Sequence, residues 1–217
     1  MTIENIAIAF KGARKHLTAN PGDGNCTDTF ASAKLVQGLR MQVTGPTGQA
    51  VRTDMSASVG GEASAPSPGW LMRAATAACT STVIVLRAAD LGVTLDSVEV
   101  KVTSQSNDCG LFGVGDDVPA GPLSASMEVQ VSAKGVDETV LKGIVTWAVA
   151  HSPVADALQR IVPLTVATGC PNGWSGEAIA ANLLHEVHIS LGLFETFLSL
   201  GRVVHNPFGK PNGVGND

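Results

Sequence analysis

The sequence predicts an α+β domain with antiparallel sheets, and three observations carry that prediction. Hydrophobic residues alternate at a period of two across Val93–Ser104 and Leu123–Ala133, the pattern of strands with one buried face. Two apolar stretches, one launched at Pro68 and ended by Gly92 and one from Asp137 to His151, follow helical spacing instead. No repeated strand–helix–strand crossover opens on a glycine-rich phosphate loop, which argues against a doubly wound nucleotide fold.

The elements follow in order. Ile3, Ile6, Ala7, Phe10 and Leu17 share one face of an amphipathic helix over 2–18, with Lys11, Arg14 and Lys15 opposite. A loop, ANPGDGNCTDT, comes next. Phe30–Thr44 and Gln49–Ser58 read as two strands joined by the turn Gly45-Pro46-Thr47-Gly48. The central helix is launched by Ser67 as N-cap and Pro68 in the first turn, and Gly92 stands where a left-handed residue would end it. Only Arg73, Arg87 and Asp90 carry charge within this helix, so most of its surface is expected to be buried. After the Val93–Ser104 strand, a Gly- and Asp-rich loop spans 105–122. Following the Leu123–Ala133 strand, a second helix starts near Asp137, presents Val140, Ile144, Trp147 and His151 on one face, and stops at Ser152-Pro153. A helical turn through Leu158 and a last strand over Pro163–Thr168 complete the domain. Residues 1–29 are thus an appendage, 30–168 the domain, and 169–217 an extension holding one amphipathic pattern (Ile179 to Leu198) and a tail.

A net charge of -5 with no basic stripe argues against nucleic-acid binding, and 4% aromatic residues leave little for base stacking. Only 15% of residues are charged and 44% are apolar, so a substantial core is expected. The first residues lack the continuous apolar run of a secretory signal, and no uninterrupted apolar stretch reaches the roughly 18–20 residues of a membrane span. Cys26, Cys79, Cys109 and Cys170 are far apart and form no Cys-x-x-Cys pair, so they read as free thiols. These points predict a cytoplasmic protein without a membrane span.

Cys79, in the middle of the central helix, is the leading reactive candidate. It is either a thiolate nucleophile, which needs a nearby cation such as Arg40, Arg52 or Arg73, or a small hydrophobe filling a tight helix contact. His151-Ser152 reads either as acid/base and nucleophile chemistry or as a helix-ending His followed by an N-cap Ser. His185 and His188 are one residue short of the zinc-protease spacing, and no metal site or cofactor is expected. Asp116-Asp117, Glu177 and Glu186 read as solvated surface, and the loop cysteines as incidental thiols or resolving partners for Cys79.

Gly60-Gly61, the Ser-Pro-Gly-x-Leu launch at 67–71, the Ala-Ala-Thr-Ala-Ala-Cys run ending at Cys79, and His151–Arg160 (HSPVADALQR) together resemble the osmotically inducible protein C and organic hydroperoxide resistance (OsmC/Ohr) family. The resemblance covers residues 30–168 and points to a divergent branch without the second cysteine. It implies two central helices wrapped by antiparallel sheets in an intertwined homodimer. It also implies thiol-dependent reduction of organic hydroperoxides in oxidative stress, with a small hydrophobic peroxide as substrate and a dithiol as reductant. By resemblance Cys79 stands at the attacking position and Ser152 at the resolving one. Gly69 occupies the place of a Glu, and Arg40, with Arg52 second, is the arginine that would hold the thiolate; Arg52, Gly69, His151 and Ser152 would line the pocket. A degenerate member that binds a small hydrophobic ligand at the dimer interface is the alternative.

Overall fold

The computed structural model describes residues 2–115 and 117–169. The described chain up to Val162 forms one unit, and residues 163–169 belong to a second.

Helix α1 (Ile3–Ala19) is capped by the Thr2 hydroxyl, which accepts from the Asn5 N–H. Strands β1 (Ser32–Gln37), β2 (Arg40–Thr44) and β3 (Ala50–Thr53) form an antiparallel sheet in that order. The single strand expected over 30–44 is therefore a hairpin. Gln37 pairs with Arg40, leaving Gly38-Leu39 as a two-residue turn. The apolar Leu39 in place of an Asn or Asp hides this turn from a sequence reading.

Between β3 and the central helix the chain folds around one carboxylate. Asp54 is buried, and its oxygens accept from the Met55, Glu62 and Ser64 N–H groups and from the Ser64 hydroxyl. The bonds from Ser64, backbone first, draw the Asp54 carboxyl from 3.8 to about 2. Inside the same loop Gly61 meets the backbone so closely that a Cβ would lie 2.0 Å from the Met55 carbonyl oxygen. This close approach explains the second residue of the Gly60-Gly61 pair.

Helix α2 (Pro68–Asp90) starts as the sequence predicts, with the Ser67 Oγ accepting from the Trp70 N–H at 3.2 Å and Pro68 in the first turn. Gly92, at φ +72°, follows its C-cap. Strands β4 (Ser97–Gln105) and β5 (Ser124–Ser132) pair antiparallel, joined by a loop holding the short helix α3 (Asp108–Leu111). Val98 faces Val131 and Val100 faces Val129, so the period of two turns one row of valines inward. Helix α4 (Glu138–Ala150) is capped by Asp137, and α5 (Pro153–Gln159) by Ser152.

The core lies between α2, α4 and the β4–β5 sheet. Val83, Ile84 and Ala88 of α2 pack with Ile144 and Ala148 of α4, and the inward valines close the cluster. Helix α1 packs on α2, which also contacts β4, α4 and α5. The α1 contact is polar as well as apolar: Arg14 donates two bonds to the Asp90 carboxylate at 2.7 and 3.0 Å. The Arg14 bond, set against the cost of burial, holds the Asp90 carboxyl below its ordinary value. Arg87 reaches the same carboxylate at 2.8 Å and lies over the Trp147 ring, whose edge meets Phe10. The basic face of the first helix is thus partly an anchor rather than only a solvated surface.

Two expectations need correction. The sequence predicts that most of the α2 surface is buried, on a helix whose length and composition would also pass for a membrane span. Its buried residues nonetheless form a stripe (Thr76, Thr80, Val83, Ile84 and Ala88 to Asp90), and Trp70 is 50% exposed. One chain's sheet, α1, α4 and α5 cover only part of a 23-residue cylinder. Residues 163–168 form no strand, because no neighbouring strand pairs with them among the described residues. The amphipathic pattern from Ile179 to Leu198 lies outside the described residues.

Candidate active site

Cys79 sits on α2 next to the buried stripe and is partly exposed. Its partner comes from the start of α5. The Ser152 Oγ lies 3.2 Å from the Cys79 Sγ, and Ser152 is wholly buried. Ser152 is where the chain leaves α4, breaks at Pro153 and re-enters a helix, so its hydroxyl also accepts from the Ala155 N–H at 3.4 Å. A third hydroxyl joins them: the Thr80 Oγ1 is 3.2 Å from the Ser152 Oγ, and Thr80 too is wholly buried. Thr80, beside the cysteine in sequence, is absent from the residues that sequence reasoning singled out. A polar residue on the buried side of an apolar helix was the available signal.

Gly69 stands in the first turn of α2. A Cβ there would lie 3.9 Å from the Arg73 Nη1, an ordinary contact. With no side chain at 69, Arg73 donates to the Ser104 Oγ of β4 at 3.1 Å. Arg40 is paired with Glu62 at 3.2 Å and bonded to Gln37. Arg52 donates to Gln42 at 3.1 Å. None of the three arginines hydrogen-bonds Cys79 among the described residues. His151 is engaged elsewhere too: its ring stacks on Trp147, 3.9 Å between centroids and 10° between planes. Its Nδ1 meets the Trp147 carbonyl at 2.7 Å, so that nitrogen is the N–H donor. The structure thus brings Cys79 and Ser152 together and leaves Arg40, Arg52 and His151 on other partners.

Beside this cluster lies an apolar groove of about 590 Å³. Val102 and Met127 of the sheet, Val145 and Val149 of α4, and Leu158 of α5 contribute to its walls. Thr76, one helical turn before Cys79, and Ala155, which donates to Ser152, also line it. Cys26, Cys79 and Cys109 are free thiols. Asp116, Cys170, Glu177, His185, Glu186 and His188 lie outside the described residues.

Fold and site together define an α+β domain built on one apolar helix, with a thiol held against a buried hydroxyl. Residues 61–167 match the family described as OsmC-like protein, so the chain carries an OsmC-like domain over that span. The match covers α2 to α5 and begins after β1–β3. Among solved structures, an OsmC-like protein from Mycoplasma pneumoniae is 16% identical, with 62% of this chain and 89% of that chain covered and a TM-score of 0.53. An OsmC-like protein of unknown function from Vibrio cholerae is 12% identical, with 61% and 94% covered and a TM-score of 0.52. A protein from Legionella pneumophila named as an organic hydroperoxide resistance protein is 20% identical, with 62% and 91% covered and a TM-score of 0.48. No curated protein matches the chain.

Proposed function

We propose that this protein reduces organic hydroperoxides through Cys79 and takes its resolving thiol from outside the Cys79–Ser152 pair. One observation carries the reading: the two positions that an OsmC-type thiol peroxidase would use as attacking and resolving cysteines are in contact at 3.2 Å, and only the first is a cysteine. The Cys79 thiolate attacks the terminal peroxide oxygen; an S–O bond forms, the O–O bond breaks, and the alcohol leaves after taking a proton from water. Cys79 is oxidised by two electrons to a sulfenic acid and the peroxide is reduced. Serine cannot form a disulfide, so a dithiol from solution condenses with the sulfenic acid, releasing water. Its second sulfur then closes on its first and frees Cys79. Cys109 is the alternative resolving thiol within the chain. The groove beside the cluster suits an apolar peroxide tail.

In this reading the chain works as an intertwined homodimer. The open side of α2 at Trp70 and the exposed Leu35 and Val36 on β1 would face the partner. The cytoplasm, where free thiols persist, is the compartment that suits it. Light scattering tests the dimer, and a monomer at all concentrations would remove it.

Single-turnover reduction of cumene hydroperoxide by wild type and Cys79→Ser tests the chemistry. Wild type is expected to consume one equivalent and yield a Cys79 sulfenic acid that a dione reagent traps. Equal background rates in both would end the proposal.

A second reading has its own support. Gly69 and Ser152 replace two catalytic groups of the family pattern, while the 590 Å³ groove is intact, as in a protein that only binds a small hydrophobic ligand. Native mass spectrometry of gently purified protein would reveal such a ligand, and empty protein unmoved by fatty ligands in thermal shift would count against it.

A further inference from the structure

We propose that Ser152 is a positioning residue for Cys79: its hydroxyl proton is held on the sulfur and favours the thiolate. The position that lacks a second cysteine therefore carries a different task. This rests on reading Cys79 as the reacting group, and it goes beyond that reading by assigning the serine.

The argument is a count of protons and lone pairs. A serine hydroxyl has one proton and two acceptor sites. At Ser152 the Ala155 N–H takes one acceptor site at 3.4 Å and the Thr80 hydroxyl takes the other at 3.2 Å. The single proton then points to the Cys79 sulfur, 3.2 Å away. In the reverse order, with the thiol donating to Ser152 and Ser152 to Thr80, the Thr80 proton would be buried with no acceptor among the described residues. Buried hydroxyls are rarely left so. Only the sequence Thr80 to Ser152 to Cys79 satisfies every group.

A hydroxyl donating to sulfur binds an anion more strongly than a neutral thiol, so it shifts the balance toward the thiolate. The thiol's own proton leaves to solvent. Thr80 contributes at one remove by holding the serine in orientation, and Ser152 is set by its place as the α5 cap.

The test compares Ser152→Thr with Ser152→Val, which differ by a hydroxyl at nearly constant shape, alongside wild type and Thr80→Val. Two readouts are taken at neutral pH: the ultraviolet thiolate absorbance that Cys79→Ser removes, and the iodoacetamide rate of the Cys79 peptide by mass spectrometry. Ser152→Val is expected to lower the thiolate population on the order of tenfold, with slower alkylation. Ser152→Thr should recover most of that loss, and Thr80→Val should fall between. Melting curves identify any variant that fails to fold, and Thr80→Val leaves the α5 cap intact if both Ser152 variants do. Equal thiolate signals for Ser152→Thr and Ser152→Val, or a wild-type signal in Thr80→Val, would overturn the assignment. Wild type that reduces no hydroperoxide while the thiolate order holds would remove the peroxidase reading and leave this one standing.

Discussion

The hydroxyl of Ser152 meets the sulfur of Cys79 at 3.2 Å across 73 residues of sequence. Among the described residues no arginine and no histidine is bonded to the sulfur, and the contact is joined by a buried threonine and a helix cap. The contact is therefore between a thiol and a hydroxyl network, and its geometry makes separate tests of reach, charge and scaffold.

Ser152→Cys should restore a two-cysteine site. A side chain already touching the Cys79 sulfur is within reach of a disulfide after modest adjustment. Mild peroxide should then remove two hydrogens from the protein mass and block alkylation of Cys79, both reversed by dithiothreitol. A variant that stays fully alkylated after oxidation would show the contact to be too poorly aligned.

Gly69→Glu should stabilise the protein. The Cβ site is open, Arg73 lies 3.9 Å from it, and a carboxylate in the first turn of α2 suits the helix dipole. Replacing glycine within a helix adds to the gain, for about 0.5–1 kcal/mol together. A rise in melting temperature checks this; a fall would mean that drawing Arg73 off Ser104 costs more than the new pair contributes.

Arg14→Ala should release α1 without melting the core. The bidentate bond to Asp90 ties the helix to α2, while Asp90 keeps Arg87. Because Arg14 is 53% exposed, the loss of stability should be only about 1 kcal/mol. Hydrogen exchange should speed up over residues 3–19 and stay unchanged around Ile84 and Ile144. Equal protection of α1 in both proteins would assign the docking to Phe10 and Trp147 alone.

Asp54→Asn should remove one acid-sensitive part of the stability. The folded carboxyl titrates at about 2 against an ordinary 3.8, so between those values the unfolded chain binds more protons. The Asp54 contribution is complete above 3.8 and is lost as pH falls toward 2. The stability gap between wild type and Asp54→Asn, from melts at several pH values, should be constant near neutrality and shrink in that window. A gap independent of pH would show that the loop does not depend on the ionised carboxylate.

The limits of α2 and the alternation of β4 and β5 were legible because caps and periodicity are local: Ser67-Pro68, Gly92 and the valine rows each act within a few residues. The β1–β2 turn was not, because Leu39 lacks the usual turn chemistry. Nor was the absence of a strand over 163–168, since a β-favourable segment becomes a strand only beside a partner. At the site, resemblance named Cys79 and position 152 together, and the two side chains lie 3.2 Å apart, whereas Arg40 lies with Glu62 and His151 with Trp147.

By itself the sequence determined where the long helices α2 and α4 begin and end and which strands alternate, and its resemblance marked one cysteine where a pair would serve. Tertiary structure decided what that cysteine touches. Helical period says which side of α2 a residue occupies, but not what is packed across from it. The meeting of Cys79, Thr80 and Ser152 depends on how α5 re-enters after α4, a long-range packing that places three hydroxyl and thiol groups within one hydrogen-bonded chain.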